Sequence, residues 1–236
     1  MNKYLESLLD LFFPRLCVSC ENPLQGQEIH LCLECLLSLP KTNSHYQETD
    51  LIDRKFWGKL NVSATFAYYK FNKKGKVQNI LHALKYKNKP ELAEYLGKLY
   101  GNELKSVNLS EKIDLIIGIP LHIDKQKIRG YNQADHFAQG LSEALNVPFD
   151  TNLLIRNTFT ESQTKKGSRF KRFKNMEGVF ELSDSSKIKN KRIALVDDVL
   201  TTGSTLEVAG GVLLENGCYR THYNYNSLCL LKQRLL

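Results

Sequence analysis

Features that the sequence lacks exclude several classes of protein. None of its apolar runs approaches the roughly 18 residues that a membrane-spanning helix needs, so the sequence predicts no membrane span. Its first residues lack the basic segment and the small-residue cleavage site of a secretory signal peptide, which favours a cytoplasmic protein. It also contains no G-x-x-x-x-G-K-[ST] loop, the phosphate-binding motif of many nucleotide triphosphatases. Acidic residues at the end of a strand therefore do not indicate that class of enzyme.

The composition is that of a globular protein with an excess of positive charge. A length of 236 residues fits one large domain, or one α/β domain with a small appendage. The 33 basic residues outnumber the 25 acidic ones, which gives a formal net charge of +8. Such a charge favours anionic partners, but it does not distinguish phosphates from nucleic acids.

Four of the six cysteines form two C-x-x-C pairs, Cys17 with Cys20 and Cys32 with Cys35, and eleven residues separate the pairs. In a cytoplasmic protein such pairs are more often metal ligands than disulfides. Four thiolates complete a closed tetrahedral site, so we predict a structural zinc ion rather than a catalytic one. A redox centre would normally be a single C-x-x-C pair. Glu21 stands where a glycine often follows the second cysteine.

The rest of the chain alternates between patterns typical of strands and of helices. Apolar or β-branched runs predict strands at 62–71, 113–119, 193–196 and 228–231. Apolar residues at helical spacing predict helices at 77–86 and after Leu92, Ala134 and Leu206. This alternation predicts an α/β domain at 62–236 with a mostly parallel, doubly wound sheet. We assign residues 1–40 to an N-terminal helix and the zinc module, and the polar residues 41–61 to a linker.

The stretch L-V-D-D-V-L-T-T-G-S at 195–204 has the pattern of a sugar-phosphate site. A predicted strand ends in two carboxylates, and a loop of hydroxyl residues and glycine then leads into a helix. Vicinal carboxylates can accept hydrogen bonds from the vicinal hydroxyls of a ribose, and a helix N-terminus suits a phosphate. The alternative is that these residues only cap a turn and a helix. The candidate residues are Asp197, Asp198, Thr201, Thr202, Gly203, Ser204 and Thr205.

Two other stretches are candidates for anion binding. The predicted strand at 113–119 is followed by Pro120, Leu121 and His122, then by a predicted basic loop that ends at Arg129, and then by a helix. The second stretch places six basic residues within 165–174, among them Lys165, Lys166, Arg169 and Arg172, with two phenylalanines between them. That mixture is typical of surfaces that bind single-stranded nucleic acid. A lid over a phosphate site would have the same composition.

At residues 196–205 the sequence V-D-D-V-L-T-T-G-S-T resembles the 5-phosphoribosyl 1-pyrophosphate (PRPP) binding motif of type I phosphoribosyltransferases. Other segments resemble one branch of that group, the ComF family, and the resemblance covers essentially the full chain. They are the paired cysteines at 14–40, L-K-Y at 84–86, I-P-L-H at 119–122, R-G-Y-N-Q-A at 129–134 and the stretch 156–180. The resemblance implies a type I phosphoribosyltransferase-like fold.

The resemblance also implies roles for particular residues. Asp197 and Asp198 would contact the ribose hydroxyls, directly or through a magnesium ion that comes with PRPP. The loop 201–205 would bind the 5-phosphate, and the backbone at 120–122 would face the pyrophosphate. Thr201 stands where purine-using relatives have a third acid, which removes an obvious general base for a purine.

Two functions are compatible with this resemblance. The family is associated with DNA uptake in natural transformation, in which it handles single-stranded DNA beside a helicase-like competence partner. The alternative is an active phosphoribosyltransferase that acts on an unidentified acceptor.

Overall fold

The computed structural model describes residues 13–46, 54, 56–60, 62–157, 178–200 and 202–218, and the backbone of residues 228–235. Its main sheet has four strands in the order β1-β6-β5-β2, and every neighbouring pair is parallel. These strands are β1 (Ala64–Lys70), β2 (Leu115–Gly118), β5 (Ile193–Asp197) and β6 (Leu228–Leu235). Two short antiparallel strands, β3 (Leu154–Arg156) and β4 (Phe180–Leu182), form a separate pair.

Six α-helices connect or flank these strands within the described residues. They are α1 (Leu33–Ser38), α2 (Lys76–Tyr86), α3 (Pro90–Lys105), α4 (Ile123–Arg129), α5 (Gln133–Leu145) and α6 (Ser204–Glu215). Short 3₁₀ helices lie at Ser44–Tyr46, Leu109–Lys112 and Ser185–Ile188. None of the helices in this part of the chain is both long and apolar enough to cross a membrane.

Helices cover the main sheet on both faces. Successive residues of a strand point to opposite faces, and Ile116 and Ile117 of β2 accordingly belong to different apolar clusters. The cluster with Ile116 contains most of the buried apolar side chains of α2, α3 and α5. The cluster with Ile117 contains those of α6. This arrangement confirms the predicted doubly wound α/β fold.

The prediction of a basic loop at 123–129 was wrong, because these residues form helix α4. None of the residues of α4 is buried. The helix therefore has no apolar stripe, and the hydrophobic spacing by which helices are recognised in a sequence is absent. His122 caps it, since its ring nitrogen Nδ1 accepts a hydrogen bond of 3.3 Å from the backbone N–H of Asp124.

Residues 41–46, which the sequence assigns to the start of a linker, pack against β1. Thr42 and Ser44 are buried, and the Ser44 hydroxyl accepts a hydrogen bond of 3.0 Å from the backbone N–H of Ala67. The Thr42 hydroxyl donates to the backbone carbonyl of Ala67. Most of the remaining linker region, like the predicted N-terminal helix before residue 13, lies outside the described residues, so both domain boundaries stay predictions.

Candidate functional site

The two cysteine pairs come together in one cluster. The sulfur atoms of Cys17, Cys20, Cys32 and Cys35 all lie within 4.8 Å of one another, and those of Cys20 and Cys32 are 3.7 Å apart. Tetrahedral coordination with Zn–S bonds of about 2.3 Å places the sulfur atoms about 3.8 Å apart. The donor set and its spacing therefore fit a metal ion of the zinc type.

The protein environment acts unequally on these thiols. Burial raises the pKa of Cys17. Hydrogen bonds from backbone N–H groups, chiefly that of Cys32, outweigh this effect and lower the pKa to about 7. Burial raises the pKa of Cys35 to about 12. The backbone N–H of Cys32 lies 3.3 Å from the sulfur of Cys17, and that of Cys35 lies 3.4 Å from the sulfur of Cys32. Such backbone hydrogen bonds stabilise negative charge on sulfur, as a thiolate site requires.

The cysteine module is attached to the α/β domain by polar and apolar contacts. The side-chain amide of Asn79 donates a hydrogen bond of 2.8 Å to the backbone carbonyl of Ser19. The ring of His30 packs edge-on against that of Tyr95, with 5.3 Å between the ring centres. Buried residues of the module also belong to the apolar cluster that contains α2 and α3. A metal ion held by the four cysteines would therefore also support these helices.

The acid pair lies at the carboxyl end of β5, where ligands of open α/β sheets commonly bind. Asp197 is the last residue of the strand, and both it and Asp198 are partly exposed. The backbone N–H of Asp198 donates a hydrogen bond of 2.7 Å to Oδ1 of Asp197. Asp198 is also near a cation, because Nζ of Lys85 lies 3.8 Å from its Oδ2.

The loop after the acid pair leads into the N-terminus of α6. Gly203 precedes the helix with φ +86°, a left-handed conformation, and a Cβ atom there would lie 3.0 Å from the ring of Phe56. A side chain at 203 would therefore be strained in both respects. The hydroxyl groups of Thr202 and Ser204 lie 2.9 Å apart, and Thr205 is partly exposed in the first turn. Thr201 lies outside the described residues.

The I-P-L-H segment lies next to the acid pair in the sheet. The backbone N–H of Ile119 donates a hydrogen bond of 2.7 Å to the carbonyl of Val196, directly before Asp197. The side-chain amide of Asn132 donates a hydrogen bond of 2.9 Å to the carbonyl of Ile119, and its oxygen caps α5. Pro120, Leu121 and His122 follow, and all three are partly exposed. This segment and the acid pair thus lie at one edge of the sheet.

The L-K-Y and R-G-Y-N-Q segments contact each other at the same edge. The hydroxyl of Tyr131 and the side-chain amide of Gln133 both donate hydrogen bonds to the carbonyl of Leu84, at 2.5 and 3.0 Å. Arg129 donates a hydrogen bond of 2.8 Å to the side-chain oxygen of Gln133. The partly exposed Arg129 is therefore held beside the end of α2, which carries Lys85.

Asp135, near the start of α5, is a carboxyl group buried beneath this edge. Its Oδ1 has no hydrogen-bond partner among the described residues and touches Gly118, the last residue of β2. Burial raises its pKa to about 6, although a hydrogen bond from Asn132 acts in the opposite direction. The end of β2 therefore contacts an acid that holds its proton to a higher pH than an ordinary aspartate does.

Comparison with known proteins identifies the family. A model of the phosphoribosyl transferase domain matches residues 82–222, more than half of the chain. The DNA utilization protein YhgH of Escherichia coli O157:H7 is 28% identical over 88% of this chain and 94% of its own length. Competence protein F of Haemophilus influenzae is 32% identical over 58% of this chain and 62% of its own. Competence protein ComFC of Bacillus subtilis is 26% identical over 86% of this chain and 79% of its own. This chain belongs to the ComF family.

Two solved structures are similar over part of the ComF chain. One is the allosteric regulatory enzyme of purine biosynthesis, which is 18% identical to this chain with a TM-score of 0.38. That match covers 60% of this chain but only 25% of the other. The second is a purine phosphoribosyltransferase from Pyrococcus horikoshii, 18% identical with a TM-score of 0.35 over 60% of this chain and 88% of the other.

The ComF structure brings most of the sequence-predicted residues together. Asp197 and Asp198, the described part of the loop 202–205 and the segment 120–122 follow the carboxyl ends of β5 and β2. Arg129 is hydrogen-bonded to Gln133, which in turn binds the carbonyl of Leu84 beside Lys85. Lys165, Lys166, Arg169 and Arg172 lie outside the described residues. Their predicted contact with DNA therefore stays a prediction.

Arg156 is a site residue that the sequence reasoning did not single out. It ends β3, and its guanidinium carbon lies 5.4 Å from the ring centre of Phe180. Burial lowers the pKa of Arg156, and attraction to the charge of Asp197 opposes this effect. The only signal in the sequence was that Arg156 begins one of the segments shared with the ComF pattern.

Proposed function

We propose that this ComF protein binds PRPP at the carboxyl edge of its sheet and acts in DNA uptake by handling single-stranded DNA. One observation carries the ligand assignment. The backbone hydrogen bond between Ile119 and Val196 places the I-P-L-H segment beside the acid pair, with the N-terminus of α6 on the same stretch of chain. PRPP consists of a pyrophosphate, a ribose and a 5-phosphate in that order. It therefore needs three neighbouring binding sites, and these three segments could provide them.

Each part of PRPP has a chemically matched group. Asp197 and Asp198 would accept hydrogen bonds from the two ribose hydroxyls. The backbone N–H groups at the start of α6 would bind the 5-phosphate, which the helix dipole also favours. The segment 120–122 would face the pyrophosphate. Carboxylate oxygens suit magnesium, which would neutralise part of the pyrophosphate charge when bound with the ligand.

The proposed role in DNA handling is supported by the relatives and by charge. Proteins named for DNA utilization and for competence match this chain, which carries a net charge of +8. Helix α4 presents exposed Lys125 and Lys127 next to Arg129, and none of its residues is buried. Basic side chains on such a surface can contact the phosphates of a single strand. We propose a helicase-like competence protein as the partner in this role.

A second candidate function is phosphoribosyl transfer to an acceptor. This function is favoured by the acid pair and by the glycine of the loop 201–205, because the motif for PRPP binding contains both. In that reaction the acceptor displaces pyrophosphate at the anomeric carbon, and the protein contributes positioning and charge stabilisation. Because Thr201 replaces the base-side acid of purine users, the acceptor would be one that needs no such general base.

Calorimetric titration with PRPP and magnesium tests the ligand assignment. We expect Asp197→Asn and Asp198→Asn each to weaken binding at least about tenfold, because each loses a charged acceptor worth about 1.5–3 kcal/mol. Glu215→Gln is the matched control, since it removes one exposed acid from the far end of α6. Equal weak signals from wild type and both aspartate variants would refute PRPP binding.

Three further measurements test the candidate roles and the proposed partner. Release of pyrophosphate with one of a panel of acceptors would support transfer, and none with any acceptor would count against it. Single-stranded DNA affinity should fall steeply with salt concentration if phosphate contacts dominate, and a shallow dependence would contradict the DNA role.

Co-purification with a helicase-like protein, lost on removal of the basic residues of α4, would support the proposed partner.

A further inference from the structure

We propose that Lys85 is a positioning residue of the candidate ribose site, where its ammonium group is the built-in counter-charge of the acid pair. The R-G-Y-N-Q segment at 129–133 holds the end of the helix that carries it. This inference rests on the proposed function, because it takes the two ribose hydroxyls of PRPP, a neutral diol, as the groups that the acid pair binds. Its consequence is that the acid pair binds a free divalent cation only weakly, so that magnesium enters with the pyrophosphate.

The contact between Lys85 and Asp198 has the geometry of charge compensation without a direct hydrogen bond. Nζ of Lys85 lies 3.8 Å from Oδ2 of Asp198, and the two side chains are only 25% and 21% exposed. A hydrogen bond between such groups would be about 2.7–3.2 Å long. The ammonium group therefore lowers the negative potential at Asp198 while leaving carboxylate lone pairs available to another donor.

Two buried side chains fix the position of Lys85. Lys85 is in the last turn of α2, where backbone carbonyls lack partners within the helix. The carbonyl of Leu84 receives two donors instead, from Tyr131 at 2.5 Å and from Gln133 at 3.0 Å. Tyr131 is 7% exposed and Gln133 only 2%. The end of α2 is thus tied to the start of α5.

The same short segment also supports the candidate pyrophosphate site. Asn132 lies between these two residues and donates its hydrogen bond to the carbonyl of Ile119. Three consecutive side chains therefore hold Lys85 on one side and the I-P-L-H segment on the other. This explains in physical terms why L-K-Y and R-G-Y-N-Q, neither of which supplies an acid, form part of the site.

A second cation acts on the acid pair. Lys85 lies 3.8 Å from Asp198, and the charge of Asp197 attracts Arg156, so each carboxylate interacts with one positive charge. A free magnesium ion has to displace its water and favours an uncompensated cluster of carboxylates. Hydroxyl groups of a ribose carry no charge and lose little from this compensation. The positive charge beside the acid pair thus favours a neutral diol over a bare metal ion.

Titration with Mn²⁺ alone, followed by electron paramagnetic resonance, tests this inference on the full chain with its zinc module intact. We expect Lys85→Met to bind Mn²⁺ at least about fivefold more tightly than wild type, which is the effect of one unit charge at about 4 Å under water-like screening. Lys85→Arg keeps the charge and should behave like wild type. Lys87→Met removes an exposed charge from the same helix end and should also leave the affinity unchanged.

Two more variants localise the effect. Adding Asp198→Asn to Lys85→Met should abolish the gain, because the new Mn²⁺ site needs that carboxylate. Tyr131→Phe removes one of the two donors to Leu84 and should give a smaller gain of the same sign. An unchanged Mn²⁺ affinity in Tyr131→Phe would overturn the role assigned to the R-G-Y-N-Q segment.

The outcome is independent of whether the protein binds PRPP. Wild-type affinity in Lys85→Met, or an equal gain in Lys87→Met, would overturn the role of Lys85 even if PRPP binds. Absence of PRPP binding by wild type would instead refute the proposed ligand, and the Mn²⁺ titrations would still report whether Lys85 compensates the acid pair.

Discussion

The two candidate sites of this ComF protein differ in how they are built. The cysteine cluster takes all its ligands from nineteen neighbouring residues of one small module, and three of its four cysteines are buried. The site at the sheet edge assembles segments from residue 84 to residue 205, and its acid pair is partly exposed. A closed set of ligands can hold an ion permanently, whereas an open set leaves acceptors and donors for a molecule that comes and goes.

This difference implies that the two sites respond differently to mutation. Ligands of a closed structural site contribute to folding, because metal binding and folding are one equilibrium. Residues of an open site contribute to binding, and some of them reduce stability because the ligand rather than the protein satisfies them. Substitutions at the cysteine cluster should therefore change stability first, and substitutions at the sheet edge should change ligand affinity first.

The largest effect is expected for Cys35→Ser. Cys35 is fully buried within the cluster, and the described residues offer no fifth ligand beside its four cysteines, so the variant loses one of four thiolates without replacement. We expect the zinc content to fall from one per chain towards zero and the free energy of unfolding to fall by about 3–5 kcal/mol, since metal binding stabilises small modules by even more. Metal analysis with chemical denaturation measures both quantities.

Cys218→Ser provides the control for that variant. Cys218 is equally buried but does not belong to the cluster, so the substitution should leave the zinc content unchanged and cost less stability. Wild-type protein without zinc, after purification free of chelators, would contradict the assignment of the cluster as a zinc site.

A smaller effect, with a distinctive pH dependence, is expected for Asp135→Asn. Below about pH 3.8 the carboxyl group is protonated in both the folded and the unfolded chain, so its burial does not lower the free energy of unfolding. As the pH rises, the unfolded chain releases the proton first, and stability falls until the folded pKa of about 6 is passed. The rise from 3.8 to about 6 corresponds to about 3 kcal/mol at pH 7.

Urea denaturation at several pH values would measure this effect. Asp135→Asn should equal wild type near pH 4 and exceed its unfolding free energy by up to about 3 kcal/mol above pH 6. A difference that does not depend on pH would show that the group ionises normally. The stabilisation would identify a part of the open site that is maintained at a cost to the fold.

The sequence allowed the secondary structure to be predicted wherever apolar residues mark a buried face. Strands β1, β2 and β5 and helices α2, α3, α5 and α6 all have such a face. Helix α4 has none, so no periodic signal existed for it. Asp197, Asp198 and Gly203 were identifiable because the acid pair and the glycine follow a strand directly.

Long-range contacts of the site were not predictable in this way. Lys85 meets Asp198 across 113 positions of the sequence, and Arg156 interacts electrostatically with Asp197, which belongs to a different strand. Local pattern carries no information on such pairs. The resemblance marked L-K-Y as part of the ComF pattern, but only the fold shows which group its lysine faces.

An intermediate effect on stability, with a larger one on binding, is expected for Gly203→Ala. The left-handed conformation costs a residue with a Cβ atom about 1–2 kcal/mol, and the new atom would also press on Phe56. We expect the unfolding free energy to fall by about 1–2 kcal/mol. PRPP affinity should fall at least about tenfold, as a shift of about 1.4 kcal/mol would produce, because the loop moves away from the phosphate.

Gly211→Ala is the matched control in the same helix. A Cβ atom there would meet no atom within 4 Å, so alanine should be tolerated and should raise stability by up to about 1 kcal/mol through its helix propensity. Unchanged PRPP affinity in Gly203→Ala would contradict the assignment of this loop to the phosphate.

The smallest effect is expected for Glu21→Gly, in the closed site. Glu21 follows the first cysteine pair with φ 63°, the left-handed conformation for which glycine is suited. Relief of this strain is worth about 1–2 kcal/mol, but glycine also gains about 0.4–1 kcal/mol of freedom in the unfolded chain. We therefore expect a net gain near 0.5 kcal/mol in the unfolding free energy at unchanged zinc content. Asn43→Gly, at φ 56°, should gain less because asparagine tolerates this conformation better than glutamate does. A loss of stability in Glu21→Gly would mean that the glutamate side chain supports the module, and the closed site would then depend on more than its four thiolates.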